Sequence, residues 1–236
     1  MTGTLQAFES AGRKCACFCP SGEGPFPLAV LCGWNMESLL PALARELPPM
    51  LLVSAEADGD RDFTPWPTPG IREGEAFTGQ AEAYLAFLTA ELLPGLESRY
   101  PLCGGRSQRA LLGYSLGGLF ALWAAMECGQ FGLAASLSGS LWYEGWMEYL
   151  KSRRLPEGTG MYLSLGDREE FGGPPRMRAV GDCTRETASF LSRGLADVTL
   201  EWNRGGHAKG VESRWLKALR WAAKRMDENG KGGELP

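Results

Sequence analysis

No stretch of the 236-residue chain approaches the ~20 consecutive apolar residues that a membrane span requires, so a membrane-spanning helix is excluded. Basic residues are not in excess: 24 Lys and Arg stand against 28 Asp and Glu, for a net charge of -4. With no basic stretch to neutralise a phosphate backbone, a nucleic-acid partner is excluded too. The opening MTGTLQAFES carries neither a basic nor an apolar leader region, so no secretory signal is expected and a cytoplasmic location is. Histidine is nearly absent, and His207 is the single one.

Seven cysteines, an odd number, argue against a full disulfide framework and for reduced thiols. Cys15, Cys17 and Cys19 alternate along a strand-like segment and share one face, whereas structural zinc ligands usually come from a turn. They are expected in the core, and no metal or organic cofactor is expected. Hydrophobic residues at 44% and charged residues at 22% are ordinary for a globular chain, and the length suits one domain spanning residues 1–236. The glycine-rich end, residues 230–236, reads as a flexible tail.

Along the chain, apolar segments of strand length alternate with segments of helical period, as in a parallel sheet covered by helices. Residues 4–8 and 14–19 flank a turn at Gly12 and predict an antiparallel hairpin. Residues 27–32 and 50–55 are continuous apolar strands around a helix over 36–46, a first βαβ unit. Residues 58–78 have no period and read as a long loop whose Phe63 and Trp66 favour a binding role. An amphipathic helix runs from Gln80 and is expected to stop near Pro94. The second half repeats the pattern, with strands at 110–114, 133–137, 161–165 and 198–202. Helices are expected at 116–128, 176–193 and 212–226, and a Trp-rich segment covers 141–150.

Between one of those strands and the helix after it stands Gly113-Tyr114-Ser115-Leu116-Gly117, a G-x-S-x-G. A serine held on a sharp turn there is exposed above the sheet, and the two glycines let the backbone pass close to its neighbours. The Leu116 amide opens the following helix, so its N–H can face a developing oxyanion. A second such amide is expected in Gly33-Trp34-Asn35, with Trp34 N–H the candidate. A serine needs a base, and His207 follows the last strand in a glycine-containing loop. The carboxylate that orients it should follow the strand ending at Leu165, where Asp167, Glu169 and Glu170 all stand. Glu169 is favoured, three residues past Gly166, with Asp167 and Glu170 open.

In that order and setting the motifs resemble the α/β hydrolases, and more closely the branch that includes esterase D-like enzymes, enterochelin esterases and the antigen 85 mycolyltransferases. GYSLGG, DFTPWP, ELLPGLESRYP, SLSGSLW, YLSLGDREE and WNRGGH carry the resemblance over nearly the whole chain. It implies an α/β-hydrolase fold: about eight mostly parallel strands, an antiparallel N-terminal hairpin, and helices on both faces. It implies Ser115 as nucleophile, His207 as base, Trp34 and Leu116 as oxyanion amides, and Arg61, which precedes DFTP, as a substrate-binding residue. Some trilactone esterases of the branch work with a Ser-His dyad, so the acid carries over less directly than the other two.

The expected activity is hydrolysis of a small-molecule carboxylic ester through an acyl-enzyme. Acyl transfer from the same intermediate, or a hydrolase fold kept only for ligand binding, are the alternatives. Trp66 in the long loop, and Trp142, Tyr143 and Trp146 after SLSGS, should reach the crevice outside the strand ends, which suits an aromatic or siderophore-type ester. The competing reading is that Trp142 and Trp146, four apart on a helix, pack on the sheet.

Overall fold

A computed structural model describes residues 1–154, 157–194 and 197–232. The opening hairpin is β1 (Gly3–Ser10) and β2 (Arg13–Pro20), turning through Ala11 and Gly12, both at positive φ. Next come β3 (Leu28–Cys32), α1 (Met36–Arg45), β4 (Leu51–Ala55) and the single-turn α2 (Gly59–Asp62). A separate two-stranded ribbon, β5 (Thr68–Pro69) and β6 (Ala76–Phe77), precedes α3 (Ala81–Phe87) and α4 (Leu93–Arg99). The remainder is β7 (Arg109–Tyr114), α5 (Leu116–Glu127), β8 (Leu133–Leu137), α6 (Trp146–Ser152), β9 (Gly160–Gly166), α7 (Val180–Arg193), β10 (Asp197–Asn203) and α8 (Val211–Gly232).

Eight strands form one sheet in the order β1-β2-β4-β3-β7-β8-β9-β10. The pairings β1–β2 and β2–β4 are antiparallel and all the others parallel, which makes this the α/β-hydrolase fold. Every residue of β3 and β8 is buried, as expected of strands covered on both faces. Successive residues alternate between two cores. Val30 joins a cluster with Tyr84, Leu119 and Leu191, while Ala29 and Leu31 join one with Leu40, Trp215 and Leu219. Helices α1 and α8 therefore cover one face and α3, α4, α5 and α7 the other.

Three elements depart from the sequence-based expectation. The helix expected to stop near Pro94 continues to Arg99 through a π-helical turn, Leu88–Leu92, and keeps Leu96 fully buried. A proline in a helix interior forfeits one backbone hydrogen bond and crowds the preceding turn, but the widened turn places Pro94 at the start of α4, where no N–H is needed. The loop at 58–78 contains α2, capped by the Asp58 side chain accepting from Asp60 N–H, as well as the β5–β6 ribbon. The final helix reaches Gly232, through part of the expected tail; residues 233–236 lie outside the described ones. No helix among the described residues is long and apolar enough to cross a membrane.

Candidate active site

Because β3, β7, β8, β9 and β10 are parallel, their carboxyl ends share one edge of the sheet, and the predicted catalytic residues follow three of those ends. Ser115 sits between β7 and α5 with φ 58° and ψ -121°, outside the regions an L-residue prefers. The turn is held by Ser115 N–H donating to Leu137 O (3.0 Å) and Ser140 N–H donating to Ser115 O (3.0 Å). Its tightness explains the two glycines. A Cβ at Gly113 would overlap the Gly117 carbonyl, and one at Gly117 would overlap the carbonyl of Cys32 at the end of β3.

His207 lies in the loop after β10 with its side chain 45% exposed. Its Nδ1 is 2.7 Å from Glu169 Oε2, on the short 3-10 turn after β9, and the Glu169 side chain is 4% exposed. With Nδ1–H donating to the carboxylate, Nε2 is left to accept a proton. The second oxygen of Glu169 accepts from Gly166 N–H (2.7 Å), Ser138 Oγ (2.8 Å) and Arg214 Nη1 (2.6 Å). Burial pushes this carboxyl up, but hydrogen bonds from His207, Ser138 and Gly166 outweigh burial and hold it below the usual carboxylate range.

The three carboxylates left open by the sequence have different partners. Asp167 accepts from Gly205 N–H (2.7 Å) and so braces the backbone of the His207 loop. Glu170 pairs with Arg185 at 2.8 Å. Only Glu169 among the three reaches the imidazole. Ser115 Oγ lies 3.4 Å from Ser140 Oγ, and among the described residues no hydrogen bond joins it to His207. Nucleophile–base contacts are often loose without substrate.

The Trp34 and Leu116 amides lie on turns that meet, since Gly117 presses on Cys32. Among the described residues neither N–H finds an acceptor, so both remain available. The Trp34 side chain stands 90% exposed. Arg61 is engaged otherwise: its Nε and Nη2 donate to Asp62, a buried carboxylate that also receives Arg13.

Two of the aromatic assignments need correcting. Trp146 is fully buried and its Nε1–H donates to Thr187 Oγ1 (3.0 Å), and Tyr143 is 2% exposed with its hydroxyl donating to Trp66 O. Neither offers a face to a ligand: Tyr143 lies in the turn before α6 and Trp146 opens that helix, and both pack into the core cluster. Trp142 is 8% exposed, packed on Phe77 with Arg176 over its ring, and Trp66 is half-buried with its Nε1–H on Glu144 O. Trp146→Ala should lower unfolding free energy by roughly 3–5 kcal/mol in urea melts while changing KM equally for small and large esters. A KM change confined to large esters, with stability retained, would return Trp146 to the binding site.

Sequence reasoning missed Arg214, Tyr114 and Ser138. Tyr114 donates its hydroxyl to His207 O and sets its ring edge-on to the imidazole at 5.4 Å. Arg214 had a readable signal: it lies four before Ala218 and five before Leu219 on an amphipathic helix, so a cation falls on the apolar stripe.

A strained serine on a strand-to-helix turn, with a histidine and a carboxylate following later in the chain, places the protein among the α/β hydrolases. The profile of the family described as Putative esterase matches residues 31–219, and the chain belongs to that family. It is 25% identical over 241 residues to the uncharacterized protein YbbA of Bacillus subtilis, covering 94% of this chain and 96% of that one. Among solved structures it is similar to the enterobactin esterase FES of Shigella flexneri, with a TM-score of 0.72 and 21% identity over 96% of this chain. This chain spans 60% of that esterase's length. Siderophore hydrolase EstA of Aspergillus nidulans matches with a TM-score of 0.67 and 19% identity, over 94% of each chain. A ferulic acid esterase matches with a TM-score of 0.65 and 17% identity, over 95% of this chain and 98% of that one.

Proposed function

We propose that the protein is a serine esterase that hydrolyses a carboxylic ester through an acyl-enzyme on Ser115. The observation that carries this reading is Glu169 bonded to His207 Nδ1 at 2.7 Å, at the same sheet edge as a serine held at φ 58°. His207 Nε2 takes the Ser115 proton as Oγ attacks the ester carbonyl, and Glu169 steadies the imidazolium that results. The oxyanion accepts from Trp34 and Leu116 N–H. As the intermediate collapses, His207 returns the proton to the departing alkoxide. Water, deprotonated by the same imidazole, then attacks the acyl-enzyme, and as the acyl–Oγ bond breaks and the acid leaves, the imidazolium returns the proton to Ser115 Oγ. The open setting of His207 favours water over another acceptor, since acyl transfer needs water excluded. Free thiols at all seven cysteines support work in a reducing compartment such as the cytoplasm.

The exposed groups around Ser115 support an aromatic, negatively charged ester. Trp34 at 90% and Phe171 at 75% exposure stand on the loops after β3 and β9, to either side of β7. Arg168, Arg204 and Lys209 near the triad are exposed and have no carboxylate partner among the described residues. Siderophore esters combine these features, and one of the structural neighbours is named a siderophore hydrolase and another an enterobactin esterase. Mixing enzyme with a p-nitrophenyl ester should give a burst of nitrophenol and a protein mass raised by one acyl group. A steady release with no burst and no adduct, across substrates and quench times, would contradict the acyl-enzyme. Trp34→Ala should lower kcat/KM for an aryl ester about 10-fold and leave the acetyl ester nearly unchanged. Equal losses on both esters would remove the indole from the substrate site.

A further inference from the structure

Arg214 lies 1% exposed on the sheet-facing side of α8, beside the buried Trp215 and Ala218. A guanidinium keeps its charge wherever it is placed, so a buried one must be held by partners. Its Nη1 donates to Glu169 Oε1 (2.6 Å), Tyr114 Oη (3.2 Å) and Ser138 Oγ, and its Nη2 to Gly206 O (2.8 Å). Its Nε–H has no acceptor among the described residues. Buried ion pairs add little stability over an apolar residue of similar size, and an orphaned donor lowers the return further. Stability alone therefore does not account for this residue.

Its contacts all belong to the catalytic centre. Glu169 Oε1 is engaged by Arg214, Ser138 and Gly166 N–H, which leaves Oε2 to face the imidazole. The His207 loop is fixed at two neighbouring carbonyls: Gly206 O directly by Arg214, and His207 O through the Tyr114 hydroxyl that Arg214 also touches. We propose that Arg214 is a positioning residue of the esterase site, locking Glu169 and the His207 loop together from inside the core and sharing the carboxylate with the imidazole. The inference rests on the reading of Ser115 and His207 as nucleophile and base.

A second cation sharing one carboxylate competes with positive charge at the site, so removing Arg214 should shift the acid limb of the pH–rate profile to higher pH. The other titratable and charged groups around His207 are unchanged in sequence in any Arg214 variant. They are Tyr114 from β7, Asp167, Arg168 and Glu169 from the loop after β9, and Arg204 and Lys209 from its own loop.

The test is the profile of kcat/KM from about pH 5 to pH 9 for wild type, Arg214→Met and Arg214→Lys, with folding checked by circular dichroism. Arg214→Met should move the midpoint of the acid limb up by about 0.5–1 pH unit and cut kcat by roughly 10–100-fold. Arg214→Lys, which keeps the charge but not the fork, should keep the wild-type midpoint and still lose about 10-fold or more in kcat. A folded Arg214→Met with the wild-type midpoint overturns the proposal. So does a folded Arg214→Lys with wild-type kcat, and failure of both variants to fold would assign Arg214 to the fold alone. If only Arg214→Lys folds, its midpoint and kcat decide. Ser115→Ala on the same substrate separates the two ideas: if it stays active, the reading of the site fails, whatever Arg214 does.

Discussion

Ser115→Ala and His207→Ala should each remove 10³-fold to 10⁶-fold of kcat, on the order seen when a nucleophile and its base act as a unit, and the double variant should be little worse than either. Without the hydroxyl, the imidazole has no proton to take; without the imidazole, the hydroxyl is too weak a nucleophile. Both changes are tolerable to the fold. His207 is exposed, and alanine at 115 retains the Cβ of a residue whose backbone is held by Leu137 O and Ser140 N–H. Losses that multiply in the double variant would mean that the two side chains act independently.

The second large effect concerns Glu169. Glu169→Gln should cost about 10²-fold to 10⁴-fold in kcat, because an amide can present its NH2 to Nδ1 and favour the wrong tautomer. Asp167→Asn, which acts on Gly205 N–H, and Glu170→Gln, which loses only Arg185, should each stay within about 10-fold of wild type. Near-wild-type rates in all three variants would leave a Ser-His dyad as the better description. Glu169 should mark acid stability too. Its carboxyl is lowered in the fold, so the ionised form contributes stability above the unfolded carboxyl's range, and that contribution is lost as pH falls through the folded value. Urea melts of wild type and Glu169→Gln should therefore converge in acid.

The sheet was legible in the sequence because buried parallel strands are written as short apolar runs, and those at 27–32 and 133–137 correspond closely to β3 and β8. The elbow was legible for a steric reason: no side chain fits at Gly113 or Gly117 once the turn closes. The acid was visible only as a cluster, since three carboxylates within four positions differ by the direction each leaves the chain, and direction is set by the 3-10 turn at Glu169–Phe171. Pro94 misled because the turn before it is π-helical, which lets the helix run on past a residue that has no N–H to give. Trp146 and Tyr143 misled because an aromatic side chain suits a ligand wall and a core equally well. Arg214 escaped for the opposite reason: an arginine in a helix is read as surface even where it falls on the apolar stripe, and the four oxygens that hold it come from β7, the residue after β8, the loop after β9 and the His207 loop.

The central claim, a nucleophilic serine at the end of β7, is tested most directly by treating the folded protein with a fluorophosphonate and locating the adduct by peptide mass spectrometry. A single phosphonyl group on Ser115, lost in Ser115→Ala and formed far more slowly in His207→Ala, is the expected result. An adduct on another residue, or no adduct on a protein that hydrolyses esters, would contradict it.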